Sequence, residues 1–372
     1  MLRSEAHVDL TAIRHNVATL RSATSAELMA VVKADGYGHG LLPSARAALA
    51  GGASWLGVAF LEEAVALRDA GVDAPLLSWL AVPGERLVDG IVRNVDLSVN
   101  ATWGLAEVVA AARQAGRPAR VHLKVDTGLS RAGAATADWP DLVTAAAKAA
   151  AGEEVEVVGI WSHFTYADAP DHPTNARQLA AFREALEIAA RLGVSPQIRH
   201  LANSAATLTR PDAHFDLVRP GIAVYGLSPV PQQSDYGLVP AMTLRSHVAL
   251  TKRVPAGTGV SYGHAYTTTG ETGLALVPLG YADGVPRNAT NVGPLLLGGR
   301  RRTISGRVCM DQFVVDVGSD EVASGDEVLL FGPGTDGEPT AQDWADALDT
   351  ISYEIVTRVG LRVPRTYREV GG

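Results

Sequence analysis

The sequence predicts an α/β protein with an N-terminal (β/α)8 barrel of the TIM type and a C-terminal, mainly β domain. Its 372 residues suit two domains at about 150 residues each. Eight short runs rich in Val, Ile and Leu, without clean apolar–polar alternation, are typical of parallel strands buried on both faces. The eight runs are Leu28–Val32, Trp55–Phe60, Pro75–Leu80, Val95–Val99, Arg120–Val125, Val155–Trp161, Ile198–Leu201 and Phe215–Val218.

Ala-rich helical patterns separate these runs. Examples are Trp103–Gln114, Asp138–Ala151 and Thr174–Leu192, each followed closely by a glycine that suits a helix end. Strands that alternate with helices predict parallel βα units. A doubly wound open sheet is the alternative, but no Gly-x-Gly-x-x-Gly motif follows the first strand to support it.

The pattern changes near residue 237, where strand-like runs come closer together between Gly and Pro turns. We therefore predict a barrel over residues 10–237 and a mainly β domain over 238–372, which an opening strand within residues 1–9 joins. The predicted strands and helices of this domain are Met242–Val254, Leu274–Leu279, Arg302–Ser305, Gln312–Val317, Glu327–Phe331, Thr340–Ala347, Ser352–Val359, Arg362–Arg365 and Tyr367–Val370.

Composition narrows the class of protein. The formal net charge is −8, and no basic tract covers a face, which argues against nucleic acid as a partner. The single cysteine, Cys309, fits a reducing compartment. The N-terminus lacks the apolar core of a signal peptide, and no apolar stretch is long enough to span a bilayer. These features predict a cytoplasmic protein, and no compact ligand spacing predicts a metal.

Polar residues follow five of the eight predicted barrel strands. Lys33 ends the first strand and is one of only four lysines in the chain, against 28 arginines. The four apolar residues before it, Met29 to Val32, predict that desolvation lowers the pKa of Lys33 and leaves a neutral amine able to form a Schiff base. A lysine that merely reaches the barrel rim is the alternative. The other clusters are Lys124 with Asp126, Ser162-His163, Asn203-Ser204 and Arg219-Pro220-Gly221.

The last two of these clusters suggest a phosphate site. Loops after the seventh and eighth strands of such barrels often bind phosphate through backbone amides. Ser204 and the amides of Gly221 and Ile222 would suit this role. Two ordinary helix N-termini are the alternative interpretation.

Eight motifs together resemble the bacterial alanine racemases, which are fold-type III pyridoxal-phosphate enzymes, over essentially the full chain. One such motif would be weak, but eight in the family's order are specific. The motifs are Ala30–Gly40, Lys124–Gly128 with Arg131, His200–Ala206, Arg219–Ile222, Val260–Gly263, Gly280–Gly284, Gly306–Gln312 and Ile351–Glu354.

The resemblance implies a role for each matching residue. Lys33 would hold pyridoxal phosphate and act as one catalytic base, and Tyr262 would act as the second from the opposite face, as inversion at Cα requires. Arg219 would face the ring nitrogen. Arg131 would contact the cofactor's phenolic oxygen and lie at the substrate, whose carboxylate the nearby Met310 amide would bind. The remaining cofactor-binding residues would be Tyr37, His163, Asn203, Ser204, Gly221, Ile222 and Tyr353. The supporting residues would be Lys124, Asp126, His200, Tyr281, Arg287, Arg307 and Asp311.

Two points stay open at the sequence level. In this family the lysine at position 124 is often carbamylated and orients the arginine at 131, but a plain Lys124–Asp126 pair satisfies the sequence equally well. Leu129, Ala132 and Thr165-Tyr166 depart from the family pattern beside the cofactor wall and leave the fine substrate preference open.

The resemblance also implies assembly and activity. Family members are head-to-tail homodimers in which Tyr262 would come from the partner chain. The expected reaction is interconversion of L- and D-alanine, which supplies D-alanine for peptidoglycan. The alternatives are a racemase of serine or of many amino acids, a fold-type III amino-acid decarboxylase, and a non-catalytic pyridoxal-phosphate carrier.

Overall fold

The computed structural model describes residues 2–368, which begin in the second domain rather than in the barrel. Strand β1 (Ser4–Asp9) leads directly into helix α1 (Leu10–Ser22). The Asp9 carboxylate accepts hydrogen bonds from the backbone amides of Thr11, at 2.8 Å, and Ala12, at 3.2 Å, and so caps the helix. One residue thus ends the strand and starts the helix.

Eight parallel strands then form the predicted barrel, in the order β8-β7-β6-β5-β4-β3-β2-β9. Backbone hydrogen bonds from Asp216 to Arg199, at 3.1 Å, and from Arg219 to Ala202, at 2.9 Å, join its two end strands. The elements are β2 (Glu27–Val31), α2 (Lys33–Tyr37), α3 (Leu41–Ala50), β3 (Trp55–Val58), α4 (Leu61–Asp69), β4 (Leu76–Ser78), α5 (Leu87–Ile91), β5 (Asp96–Val99), α6 (Thr102–Ala115), β6 (Ala119–Lys124), α7 (Trp139–Ala151), β7 (Val155–Trp161), α8 (Pro173–Arg191), β8 (Ile198–His200), α9 (Ser204–Thr209) and β9 (Leu217–Val218). The predicted fold class is confirmed.

The second domain is mainly β. A six-stranded sheet has the order β16-β15-β18-β10-β1-β19, a three-stranded sheet has the order β11-β14-β17, and β12 pairs with β13. The elements are β10 (Met242–His247), β11 (Leu250–Val254), β12 (Gly259–Val260), β13 (Tyr266–Thr267), β14 (Thr272–Val277), β15 (Pro294–Leu297), β16 (Arg300–Thr303), β17 (Phe313–Gly318), β18 (Glu327–Phe331), α10 (Ala341–Leu348), α11 (Ser352–Thr357) and β19 (Arg365–Arg368).

Several details of this domain differ from the sequence predictions. The run predicted as one strand over Met242–Val254 divides into β10 and β11, because the amide of Val248 bonds to Asp326, directly before β18, whereas the amide of Ala249 bonds to Leu276 of β14 in a different sheet. Strands β12, β13 and β15 were not predicted. One terminal strand, β19, replaces the predicted Arg362–Arg365; of the predicted Tyr367–Val370, the last two residues lie outside the described residues.

Candidate active site

A cavity of about 670 Å³ lies where the barrel strands end, and α11 of the second domain borders it. Eleven of the residues singled out from the sequence line this cavity: Lys33, Tyr37, Lys124, Arg131, His163, Asn203, Ser204, Arg219, Gly221, Ile222 and Tyr353. Carboxyl ends of barrel strands are where active sites of this architecture form. The structure therefore collects most of the predicted barrel-side residues in one place.

The cavity is strongly cationic. Four of its lining residues carry basic side chains, namely Lys33, Lys124, Arg131 and Arg219, and none of the described lining residues is Asp or Glu. Burial, followed by the charge of Arg131, lowers the pKa of Lys33, against a smaller raising effect of Glu63. A pocket of this kind attracts anions and holds one lysine ready to lose its proton.

The turn that follows Lys33 is strained. Ala34, Asp35, Gly36 and Tyr37 all have left-handed backbone angles, with φ between 52° and 60°. The Glu63 carboxylate accepts a 2.6 Å hydrogen bond from the Ala34 amide and stabilises this conformation. Strain of this type persists only where the surroundings enforce it, and it clusters at functional sites.

Lys124 lies against an aromatic ring rather than a carboxylate. Its Nζ is 4.1 Å from the centroid of the Trp161 ring. Burial, then the charges of Arg219 and Arg131, lower the pKa of Lys124 to about 7, although Asp126 opposes this. The Asp126 carboxylate instead accepts hydrogen bonds at 2.9–3.1 Å from the amides of residues 128–130. The structure therefore does not form the simple Lys124–Asp126 pair.

Arg219 is buried and held by several hydrogen bonds. Its Nη2 donates to the carbonyls of Ser162, at 2.8 Å, and Leu201, at 3.2 Å, and its Nη1 lies 3.0 Å from His200 Nδ1. Its Nε forms no hydrogen bond with any residue that the structure describes. Burial lowers the pKa of Arg219 to about 9, so the guanidinium stays charged at neutral pH.

His163 lies beside this guanidinium. Its Nδ1 is 3.3 Å from Arg219 Nη2. Burial, followed by the charge of Arg219, holds the pKa of His163 well below its usual value. The imidazole is therefore neutral at physiological pH and can pack against a flat ring without adding charge.

A cradle of hydroxyl and amide groups occupies the cavity edge at β8 and β9. Ser204 Oγ accepts hydrogen bonds from the amides of Gly221, at 2.7 Å, and Ala223, at 3.4 Å. A Cβ on Gly221 would lie 2.3 Å from Tyr37 Oη, so only glycine leaves this space open. Burial raises the pKa values of Tyr37 and Tyr353, which keeps both hydroxyls as donors. These groups fit a phosphate.

The other predicted site residues do not reach the cavity within one chain. Tyr262, Tyr281, Arg287, Arg307, Met310 and Asp311 are all exposed on the second domain, with Tyr262 71% and Met310 53% exposed. Ser261 Oγ bonds to the Arg307 carbonyl at 2.7 Å, and the Ala282 amide bonds to the Met310 carbonyl at 3.0 Å. These contacts join the segment of Tyr262 to that of Arg307, and the segment of Tyr281 to that of Met310; the six exposed residues together are named here the tyrosine face.

The tyrosine face also contains backbone strain. Ser261 has φ 62° and ψ −173°, a combination that is essentially restricted to glycine. The strained residue directly precedes the exposed Tyr262.

Sequence reasoning missed two aromatic residues of the cavity. Trp79 and Trp161 line it, and Lys33 Nζ lies 5.9 Å from the Trp79 ring centroid. Trp79 directly follows β4 and Trp161 ends β7, and an aromatic residue at the end of an apolar strand does not differ in sequence from a core residue. Residues 2–368 bring together no group of three His, Cys, Asp or Glu side chains suited to a metal, and they contain no helix with the length and apolarity of a membrane span.

Comparison with known proteins agrees with this geometry. The family model described as the alanine racemase N-terminal domain matches residues 8–229, and that of the C-terminal domain matches residues 241–367. The chain is 65% identical to an alanine racemase of Frankia casuarinae over 98% of this chain and 96% of that protein.

Solved structures give the same result. An alanine racemase from D-cycloserine-producing Streptomyces lavendulae has a TM-score of 0.98 and 55% identity, covering 100% of this chain and 98% of that one. The Bacillus anthracis alanine racemase with bound L-Ala-P has a TM-score of 0.92 and 35% identity, covering 100% and 96%. The chain thus belongs to the alanine racemase family of enzymes.

Proposed function

We propose that the protein interconverts L- and D-alanine with pyridoxal phosphate, using Lys33 and Tyr262 as its two bases, and so supplies D-alanine for peptidoglycan. The observation that carries the proposal is the cavity itself, where three further cationic side chains lie with Lys33, a half-buried lysine with a lowered pKa, beside the cradle at β8 and β9. The Bacillus anthracis relative, whose structure contains L-Ala-P, supports the alanine assignment.

The residues present fit pyridoxal phosphate. Ser204, Tyr37, Tyr353 and the amides of Gly221 and Ile222 would hold its phosphate, and Arg219 Nε, which has no partner in the described chain, would face its ring nitrogen. His163 and Asn203 would complete the wall around its ring. When bound, the cofactor withdraws electrons from the Cα of the joined amino acid, which acidifies the Cα proton.

Arg219 would control how far that electron withdrawal goes. A guanidinium that keeps its own proton does not protonate the ring nitrogen that it faces. The ring then draws electrons more weakly, and return of a proton to Cα is favoured over other outcomes. This is the chemistry that a racemase needs.

Proton exchange would use two groups on opposite sides of Cα. Burial and the charge of Arg131 lower the pKa of Lys33, which favours the neutral amine that would accept a proton and give it back. Tyr262 Oη would do the same from the other face. Arg131 and the Met310 amide would hold the substrate carboxylate and keep Cα between the two bases.

The two bases require a second copy of the chain. Tyr262 lies on the exposed tyrosine face, whereas Lys33 lies in the barrel cavity. A head-to-tail homodimer in which each tyrosine face covers the other chain's cavity would complete both sites. The exposure of Tyr262, the strain at Ser261 and the opening of the cavity support this arrangement.

The function is tested with L-alanine and the pyridoxal-phosphate-loaded protein in heavy water. We expect chiral chromatography to find D-alanine, and mass spectrometry to find deuterium at its Cα. L-serine is run in parallel, because Ala132, a small residue, lines the cavity. Loaded protein that yields neither D-alanine nor deuterated alanine would rule out the proposal.

A further inference from the structure

A line of buried hydrogen bonds runs from Arg219 into the barrel interior. Arg219 Nη1 lies 3.0 Å from His200 Nδ1, His200 Nε2 lies 2.8 Å from His122 Nδ1, and His122 Nε2 lies 3.1 Å from Asp96 Oδ2. All four side chains are at least nine-tenths buried. Neither His122 nor Asp96 lines the cavity, so the proposed function does not use them.

The chemistry of the two ends fixes every proton in this line. A guanidinium can only donate, so His200 Nδ1 must accept and the proton of neutral His200 must sit on Nε2. That proton is donated to His122 Nδ1, which places the proton of His122 on Nε2, facing Asp96. A carboxylate can only accept, so the assignment made from Arg219 agrees with the one made from Asp96.

The barrel makes room for this line at one strand. The pairing of β6 with β7 shifts by one residue at His122, where Gly159 rather than Val158 becomes its partner. A bulge of this kind re-aims a side chain. A Cβ on Gly159 would lie 2.2 Å from His122 Nδ1, so the close approach of the two imidazoles depends on glycine. The Trp161 ring lies parallel to the His200 ring, at 2°.

The line also compensates a buried charge. The guanidinium of Arg219 contacts carbonyls and imidazoles, and a buried cation needs a counter-charge. Burial raises the pKa of Asp96, but hydrogen bonds from His122 and Arg120 outweigh it and keep the carboxylate ionised. Burial and the charge of Arg219 hold the pKa of His200 well below its usual value, so it stays neutral.

We propose that Asp96 and His122 are positioning residues that fix the tautomer of His200 and thereby hold Arg219 oriented and charged toward the cofactor ring nitrogen. The orienting effect rests on the proposed function, whereas the proton positions follow from the geometry alone. In this arrangement the carboxylate of Asp96, three hydrogen bonds from Arg219, supplies the negative charge that balances the buried guanidinium at the cavity.

Nitrogen NMR of the ¹⁵N-histidine-labelled protein, with and without pyridoxal phosphate, tests the proton positions. His122 and His200 are assigned among the ten histidines by the signals that His122→Gln and His200→Gln remove. We expect both to carry one proton, on Nε2. A proton on Nδ1 of either ring in the wild-type protein would overturn the proposal, whatever the variants do.

Asp96→Asn tests the positioning role. Its amide replaces an acceptor with a donor, so we expect part of His200 to move its proton to Nδ1. We also expect kcat to fall about 10- to 100-fold, by analogy with loss of the outer partner that orients a metal-binding histidine. The control is Glu156→Gln, which removes the other carboxylate that binds Arg120 but that lies outside the line of hydrogen bonds. It should change neither the His200 tautomer nor kcat.

Both changes in Asp96→Asn must occur together. An unchanged His200 tautomer, or an unchanged kcat in a variant with an altered tautomer, would overturn the positioning role. Because the tautomers are measured without substrate, they remain informative even if the wild-type protein does not racemise alanine. That last result would refute the proposed function instead.

Discussion

At the scale of single residues, burial sets the proton affinities in the cavity. It is the largest cause of the lowered pKa values of Lys33, Lys124 and Arg219. Each of these cations also lies near another one, which lowers the pKa values of both lysines further. The cavity thus combines anion attraction with one group, Lys124, whose pKa of about 7 lets it change protonation near neutral pH.

Lys33→Ala and Tyr262→Phe should fail in different ways. We expect Lys33→Ala to lose the absorbance of lysine-bound pyridoxal phosphate together with activity. Tyr262→Phe should keep the absorbance and lose about 10²–10⁴-fold in kcat, the usual contribution of one acid–base group. Lys252→Ala and Tyr236→Phe, outside the cavity, are the controls. Full activity in Tyr262→Phe would refute the two-base assignment.

Lys124 should make stability depend on pH in a defined direction. Its pKa is about 7 in the folded protein and about 10.5 when unfolded. Between these values the unfolded chain binds more protons, so the free energy of unfolding gains an increment as pH rises from 7 to 10.5. Below pH 7 Lys124 is protonated in both the folded and the unfolded state, so the full cost of burying its charge remains. Denaturant titrations in CO2-free buffer should show this increment, and Lys124→Met should lack it; equal pH slopes would contradict the assignment.

At the scale of elements, the strand ends position the barrel half of the site. β2, β6, β8 and β9 deliver Lys33, Lys124, Ser204 and Arg219 to one edge, and α11 adds Tyr353 from the second domain. Gly221 keeps the cradle at β8 and β9 open by its lack of a side chain. The cradle therefore depends on backbone positions that tolerate no added atom.

Gly221→Ala should close this cradle. Its Cβ would meet Tyr37 Oη at 2.3 Å, so Tyr37 must move and affinity for pyridoxal phosphate should fall. Overpacking of this kind destabilises a protein by about 1–3 kcal/mol. Gly104→Ala, in the first turn of α6 with open space around it, should instead add up to roughly 0.5–1 kcal/mol of stability and leave affinity unchanged. Equal cofactor affinity in the two variants would contradict the cradle.

The sequence predicted the elements whose pattern is local. Eight apolar runs gave the barrel strands, and polar residues at their ends gave the cavity cations. The break between β10 and β11 was missed because it depends on partners at Asp326 and Leu276, far along the chain. Trp161 was missed because an aromatic residue at the end of an apolar strand does not differ from core in sequence.

At the scale of the whole molecule, the two ends of the described chain meet in one sheet of the second domain. β1, near the start of the chain, pairs with β10 and with β19, near its end, and β1 leads directly into the barrel through α1. The same domain borders the barrel cavity with α11 and carries the tyrosine face elsewhere on its surface. One chain thus carries the cavity and the tyrosine face as two separate surfaces; local sequence patterns indicated the residues of both, whereas their separation in space depends on contacts between distant segments.

The central claim, that two chains together form each active site, is tested most directly by mixing two inactive variants. Lys33→Ala and Tyr262→Phe chains are mixed under conditions that allow subunit exchange, and racemisation of alanine is measured. Half of the dimers should be mixed, each with one complete site, so about one quarter of wild-type activity should return. A mixture of Lys33→Ala with Lys33→Arg should stay inactive. No recovery despite demonstrated exchange of subunits would contradict the shared site.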